Sequence, residues 1–473
     1  MWPTKRLDSI HEEENIGRPF ASLFPMDADS PLGIRSVPTV VTLIALPIAI
    51  VYFILLTHIV NIPMADDYDA VLNFSIHLRN APNLSDKLHY FLSSQHSEYK
   101  LFLVHALLWL ELHLLGHIDL KLLSVIGNSF ILLLGILLWQ MLLPRHQGLA
   151  TRLAFFVPVS WLLFQLQYAQ TLNFATAGVQ NLAVLVFSLA AIYFLHCATR
   201  RAFLAAVACL VLAISASGNG LLLVPIGLMI LVLNRRCLGV ALWAAVSATC
   251  IAAYLYGYDS RLWLARPSPA PVPALAQLLR PIYTIGFIGS AGAYPIQAGS
   301  FVLGVAICIF YFYMAKRGYF HTNPAIGYSV LFLFLSAVLA TGFRSNFGIG
   351  SSTASRYTIY STLLLIFGWL IIVEEWLISK TQPALRNRIL VITTAGAILF
   401  SVAMDVRGFR YLRNRNRNLV TGMRLYEHSA SRQSTVGPRF PEPRSKEDQA
   451  YNLWTRDLLS ESSRLGIYRL PPY

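Results

Sequence analysis

Eleven apolar runs at or near bilayer-spanning length dominate this sequence and restrict it to a small set of folds. They fall near residues 40–60, 119–143, 153–167, 174–196, 203–216, 220–233, 238–256, 297–315, 325–343, 357–378 and 389–406. Crossing ~30 Å of hydrocarbon takes about 20 helical residues, and in lipid every backbone polar group has to be paired within the segment or a closed barrel. The runs therefore predict an all-α, polytopic integral membrane protein with about 11 transmembrane helices, the shortest needing polar ends or a locally thinned bilayer. Composition agrees: 56% of residues are hydrophobic and 13% charged, against about 45–50% and about 25% in soluble proteins. A soluble globule is excluded.

In a soluble protein the net charge of +14 would suggest nucleic acid; here it points first to topology, and no nucleic-acid partner is expected. Five connections carry Arg145 and Arg152, Arg200 and Arg201, Arg235 and Arg236, Lys316 and Arg317, and Lys380, Arg386 and Arg388. The alternating connections carry only Arg344 and Arg356. Because short cytoplasmic loops are rich in Lys and Arg, this alternation orients the chain, provided that the stretch 101–116, with His105, Glu111 and His113, lies at the interface. The amino terminus is then inside and the carboxyl terminus outside. Residues 1–37 read as a cytoplasmic extension without the features of a signal peptide. Residues 38–406 form the membrane domain, with 61–118 as a first outer loop carrying interfacial helices. The Pro-Ala-rich segment 257–281 reads as an extended or mobile loop.

Residues 407–473 form a small extracytoplasmic tail with 13 basic and 6 acidic residues, suited to anionic lipid headgroups or a polymeric acceptor. Its Tyr451, Leu453, Trp454, Leu458, Leu459 and Ile467 predict packing against the outer face. Five cysteines without a Cys-x-x-Cys pair predict neither a disulfide framework nor a zinc site. No Walker loop is present, which disfavours ATP-driven transport by this chain alone.

The strongest local chemistry is Ala65-Asp66-Asp67-Tyr68-Asp69, directly after the first run. Crowded carboxylates repel one another, which raises a pKa and leaves a base able to accept a hydroxyl proton. Asp67-Tyr68-Asp69 also matches an Asp-x-Asp metal pattern, so a divalent metal is possible while no cofactor is certain. His113 and His117 have an i, i+4 spacing that suits zinc, without a clear third ligand. A second cluster is Gln95-His96-Ser97-Glu98-Tyr99-Lys100. Further polar groups gather where helices should end on the same side: Gln167, Gln170, Asn173 and Gln180; the turn Ser217-Gly218-Asn219-Gly220; and Arg344 with Ser355-Arg356-Tyr357. Two arginines with serines beside them meet the needs of a phosphate, which guanidinium matches in two-point geometry. The run centres, by contrast, are Leu, Val, Ile, Ala and Phe, where a transporter would place polar groups.

These residues resemble the GT-C superfamily of polytopic glycosyltransferases: Asp66-Asp67 after the first span, a long first outer loop, and many short-looped spans. Gln95-His96-Ser97-Glu98-Tyr99-Lys100 is similar to a Gln-His-Asn-Glu-His-Arg motif of bacterial members, departing at Ser97, Tyr99 and Lys100. Ser217-Gly218-Asn219-Gly220 and Ser355-Arg356-Tyr357 resemble patterns in the same proteins. The resemblance implies a polyprenyl-phosphate sugar as donor and a glycan, lipid or protein acceptor. Sugar would be transferred with inversion on the extracytoplasmic face of the inner membrane, among membrane lipids. Asp66 or Asp67 would be the base. Arg356, with Arg344 or Lys100, would bind the donor phosphate. Tyr68, Asp69, Gln95, His96, Glu98, Asn219 and Tyr357 would bind substrate. Rival readings are a lipid-linked sugar flippase or transporter, an O-antigen ligase or polymerase, and a non-catalytic scaffold.

Overall fold

The computed structural model describes residues 37–96, 99–142, 148–197, 199–259, 279–428 and 445–471. The expected cytoplasmic extension, Glu98, Arg145 and most of the Pro-Ala segment lie outside the described residues. Every regular element described is helical, and extended backbone pairs only at the bridges His96–Tyr99 and Ile118–Tyr468. In chain order the helices are α1 (Val37–His58), α2 (Phe74–Asn80), α3 (Leu84–Ser93), α4 (Phe102–Leu115), α5 (Leu120–Met141) and α6 (Leu149–Leu163). There follow α7 (Ala169–Leu172), α8 (Ala175–His196), α9 (Arg200–Ala216), α10 (Leu223–Leu233), α11 (Cys237–Leu255) and α12 (Arg280–Ile288). The last are α13 (Ala298–Lys316), α14 (Tyr319–Thr322), α15 (Pro324–Arg344), α16 (Ser355–Ile372), α17 (Pro383–His428) and α18 (Lys446–Arg464).

Among the described residues nine helical stretches, α1, α5, α6–α7, α8, α11, α13, α15, α16 and α17 with their short continuations, are long and apolar enough to cross a membrane. The protein is a multi-pass membrane protein. The two shortest expected spans, 203–216 and 220–233, are helical but fall outside these nine. There α9 has 17 residues and α10 has 11, at or below the lower end of the ~17–25 that span. The cause is the turn at Ser217. A Cβ on Gly220 would fall 2.3 Å from the Ala213 carbonyl, so only glycine lets the chain fold back so tightly.

The central helix is α8, apolar around its whole circumference, with Leu182, Leu185, Leu189 and Ile192 fully buried; such a helix belongs inside a bundle. It packs along its length between α5 and α9. At one crossing Gly127 of α5 meets Gly178 of α8, where a Cβ on Gly127 would lie 2.7 Å from the Val179 nitrogen. Small residues let membrane helices approach this closely. Gly127→Ala is therefore expected to push α5 off α8 at a cost of about 1–3 kcal/mol, read as a lower melting temperature in detergent. An unchanged melting temperature would contradict this packing.

Two features shape one end of the bundle. The connection from α1 to α5 carries α2, α3 and α4, and α4 buries Val104, His105, Leu108 and Glu111 while Leu110, Leu114 and Leu115 stay exposed. The tail packs onto this connection. Helix α17 runs unbroken through residue 406, where the sequence suggests a boundary, and continues to His428. After it, Tyr451 Oη donates to Ala65 O at 3.3 Å, Tyr468 Oη to Asn61 O at 2.5 Å, and Ile118 N to Ile467 O at 2.7 Å. Leu458, Leu459, Ile467 and Tyr468 join the main core against the first long loop, whereas Leu453 and Trp454, also expected to pack, stay exposed.

Candidate active site

The acidic run is divided by a local backbone turn. Ala65 has φ +49°, a left-handed conformation uncommon outside glycine, and a π-helical turn over Tyr68–Asn73 follows. The three carboxylates consequently have different environments. Asp67 turns inward and is 2% exposed, accepting from Met64 N at 3.2 Å and Thr176 N at 3.3 Å. Burial raises its pKa to about 7, outweighing the hydrogen bonds from Thr176 and Met64. Asp67 thus ties the loop to the start of α8. Tyr68 is buried with its ring edge-on to Tyr451.

Asp66 and Asp69 take opposite sides of His96. Its Nδ1 lies 2.7 Å from Asp69 Oδ2 and its Nε2 3.6 Å from Asp66 Oδ2. Burial disfavours the imidazolium, yet the hydrogen bonds and charges of the two carboxylates prevail and bring its pKa up to about 9. Asp69, for which burial acts upward, is held below the usual carboxylate range by His96 and Asn73. His96 therefore carries a positive charge at neutral pH, between two acids whose mutual repulsion it relieves.

This arrangement has a pH signature. The folded pKa of His96 exceeds its unfolded value, so its contribution is complete below about pH 6.5 and is lost as pH rises through about 9. Asp67, also raised, acts in the same direction between about pH 4 and 7. Amide-exchange protection of the α1–α5 connection, corrected for intrinsic exchange, should fall from pH 6.5 to 9 relative to α8. In His96→Gln the fall over that upper window should vanish. A pH-independent wild type would contradict the charge assignment.

Asp66 and His96 also line a cavity of about 490 Å³. It is a joint product of distant segments. Gln170, Thr176 and Gln180 come from the α7–α8 region, Ser217 and Asn219 from the turn after α9, and Arg344, Arg356 and Tyr357 from the α15–α16 junction. Asn219 is held by Tyr360, whose Oη lies 3.1 Å from its Nδ2. The Arg356 guanidinium lies 5.1 Å from the Tyr357 ring centre, with its buried Nε without a hydrogen-bond partner. Asp66 and Tyr99 stand within electrostatic reach of it. Arg344 rests 5.7 Å over Phe347. Leu255, Leu339 and Phe343 supply an apolar wall, in which Leu255 and Phe343 are exposed.

Of the residues singled out in the sequence, Asp66, His96, Asn219, Arg344, Arg356 and Tyr357 meet at this cavity. Others do not line it. Gln95 is engaged with Asp259, donating to its carbonyl at 3.1 Å and accepting from its N–H at 2.9 Å. Lys100 is fully buried, and its Nζ donates to the carbonyls of Leu92 and Tyr256; it braces the loop rather than facing a donor phosphate. Asp67, Tyr68 and Asp69 stand behind Asp66 and His96. Thr176, Tyr254, Tyr258 and Phe287 also line the cavity and were missed. The i, i+4 pair Tyr254 and Tyr258 at the end of an apolar run was the available signal.

Among the described residues no group of three or more His, Cys, Asp or Glu is arranged to hold a metal. Asp66 and Asp69 flank the His96 imidazole, which stands between them. Comparison of the chain with protein-family profiles, curated proteins and solved structures finds no match in any of the three.

Proposed function

We propose that this protein is a glycosyltransferase that moves a sugar from a polyprenyl-phosphate donor to a hydroxyl of a glycan, lipid or protein acceptor, with inversion, at the extracytoplasmic end of the membrane domain. The observation that carries the reading is one cavity lined by a carboxylate, two guanidinium groups and an apolar wall. These are the three surfaces that an acceptor hydroxyl, a phosphate and a prenyl chain require.

In this mechanism Asp66 takes the proton of the acceptor hydroxyl as its oxygen attacks the anomeric carbon. The bond from that carbon to the phosphate oxygen breaks, and its electron pair leaves on the polyprenyl phosphate. Charge grows on this leaving group in the transition state. Arg356 and Arg344 are fixed cations that stabilise it without reorganising, and the unpaired Nε of Arg356 supplies a donor for a phosphate oxygen. His96 keeps Asp66 oriented, while Asn219, Gln170 and Tyr357 are placed to hydrogen-bond sugar hydroxyls.

The reading adopts the expected topology, with the basic connections inside and the first long loop and tail outside. The test is transfer of radiolabelled sugar from a polyprenyl phosphate by purified protein in lipid nanodiscs, with product anomeric configuration read by NMR. Inverted product is expected; movement of intact donor across the bilayer without transfer would replace this reading with a flippase.

A further inference from the structure

Across the segment 167–170 from the main cavity lies a second pocket of about 110 Å³ that shares with it only Gln170. Its volume is several times the ~30 Å³ of a liquid water. It forms where α17 crosses the connection after α6. Gly408 touches Leu166 so closely that a Cβ would fall 2.3 Å from the Leu166 carbonyl oxygen, and Asp405 accepts from Leu166 N at 2.7 Å. This crossing brings Arg407 to the pocket. The apolar run of α17 ends at residue 406, so Arg407 stands at the level where lipid headgroups begin.

Hydrogen-bond accounting shows what the pocket lacks. Thr353 Oγ1 donates to Gly350 O, Thr358 Oγ1 to Ser355 O, and Ser355 Oγ to Gln167 O. Two groups remain. Ser290 is fully buried and its Oγ has no partner. Gln167 donates through Nε2 to Ala291 O at 2.7 Å, leaving its buried Oε1 without one. Buried polar groups are normally satisfied. Arg407 stacks over Tyr294 at 4.9 Å and forms no ion pair with a described acid. Nearby Asp405 is occupied by Leu166 N and Ser401. A water would serve Ser290 and Gln167; Arg407, solvent-exposed and without a carboxylate partner among the described residues, adds a preference for an anion.

We infer that this pocket binds a phosphate group, Arg407 and Ser290 donating to its oxygens and Gln167 Oε1 accepting from a hydroxyl beside it. The group is either a lipid headgroup such as phosphoglycerol or free phosphate. The full chain, purified in detergent and delipidated, is incubated with phosphatidylglycerol, with phosphatidylcholine, or with inorganic phosphate, and bound species are counted by native mass spectrometry.

One equivalent of phosphatidylglycerol should survive activation that strips phosphatidylcholine. Arg407→Gln should weaken retention about tenfold or more and Ser290→Ala a few-fold, whereas Arg410→Gln, an equally exposed arginine of the same helix that does not line the pocket, should keep it. Displacement by millimolar phosphate would assign the site to phosphate in general; resistance to it would assign the site to the headgroup. Equal retention in wild type, Arg407→Gln and Ser290→Ala would overturn the inference, as would an equal loss in Arg410→Gln or failure of both phosphatidylglycerol and phosphate to bind.

Discussion

Asp66→Asn should lower the rate of sugar transfer at saturating donor by about 10²–10⁴-fold, the range of a general base, while the purified protein stays monodisperse and its melting temperature falls only by the share that half-exposed Asp66 contributes through its pair with His96. The basis is location. The Asp66 side chain is 47% exposed and lines the cavity, so the amide replaces the carboxylate without disturbing a packed core. The asparagine keeps the shape and one acceptor but cannot take a proton at neutral pH. Asp67→Asn should behave in the opposite way. Asp67 holds Met64 N and Thr176 N, and an amide there sets a donor against one of those N–H groups. A buried polar group left unpaired costs about 1–3 kcal/mol, so melting falls while transfer per folded molecule is largely kept. Full activity in Asp66→Asn would remove Asp66 from the mechanism.

Arg356→Ala is expected to cost about 10²–10³-fold in kcat, the loss seen when one preorganised donor to a developing anion is removed. The effect should fall on kcat more than on KM, because charge on the phosphate bridging oxygen grows as the bond breaks. Arg356→Lys should recover only part of the loss, since an ammonium cannot reproduce the two-point geometry of guanidinium on a phosphate. Arg344→Ala should cost less, because Arg344 rests over the exposed Phe347 ring, whereas Arg356 offers a buried Nε without a partner. A rise in KM with kcat unchanged would mean that Arg356 only holds the donor. Measurement of kcat and KM against donor concentration in nanodiscs separates the two outcomes.

How much of this was legible in the sequence follows from the range of the interactions. The helical, multi-pass fold is a local property of apolar run length, and α8 could be read from Leu182 to Ile192 without knowing its neighbours. The acidic run after α1 was equally visible. Which of its acids would face a cavity was not, because Asp67 is turned inward by Thr176, more than a hundred residues away, and by the left-handed backbone at Ala65. Lys100 illustrates the same limit. The family resemblance implied a donor phosphate for it, but the carbonyl of Tyr256 claims it from the far end of α11. The turn at Ser217 was legible as a glycine-rich break between two short apolar runs, whereas the contact of Gly220 with Ala213 that closes it was not. The tail's apolar residues signalled a packing partner, and only the fold identified it as the first long loop.

The central claim is that one cavity brings a donor phosphate to Arg356 and an acceptor hydroxyl to Asp66. It is tested most directly by a cryo-EM structure with a non-hydrolysable polyprenyl-phosphonate sugar bound. The account predicts phosphonate oxygens at hydrogen-bond distance, about 3 Å, from the Arg356 guanidinium. The anomeric carbon should face Asp66 with room for one hydroxyl between them. Density for the phosphonate away from Asp66 and Arg356 would contradict it.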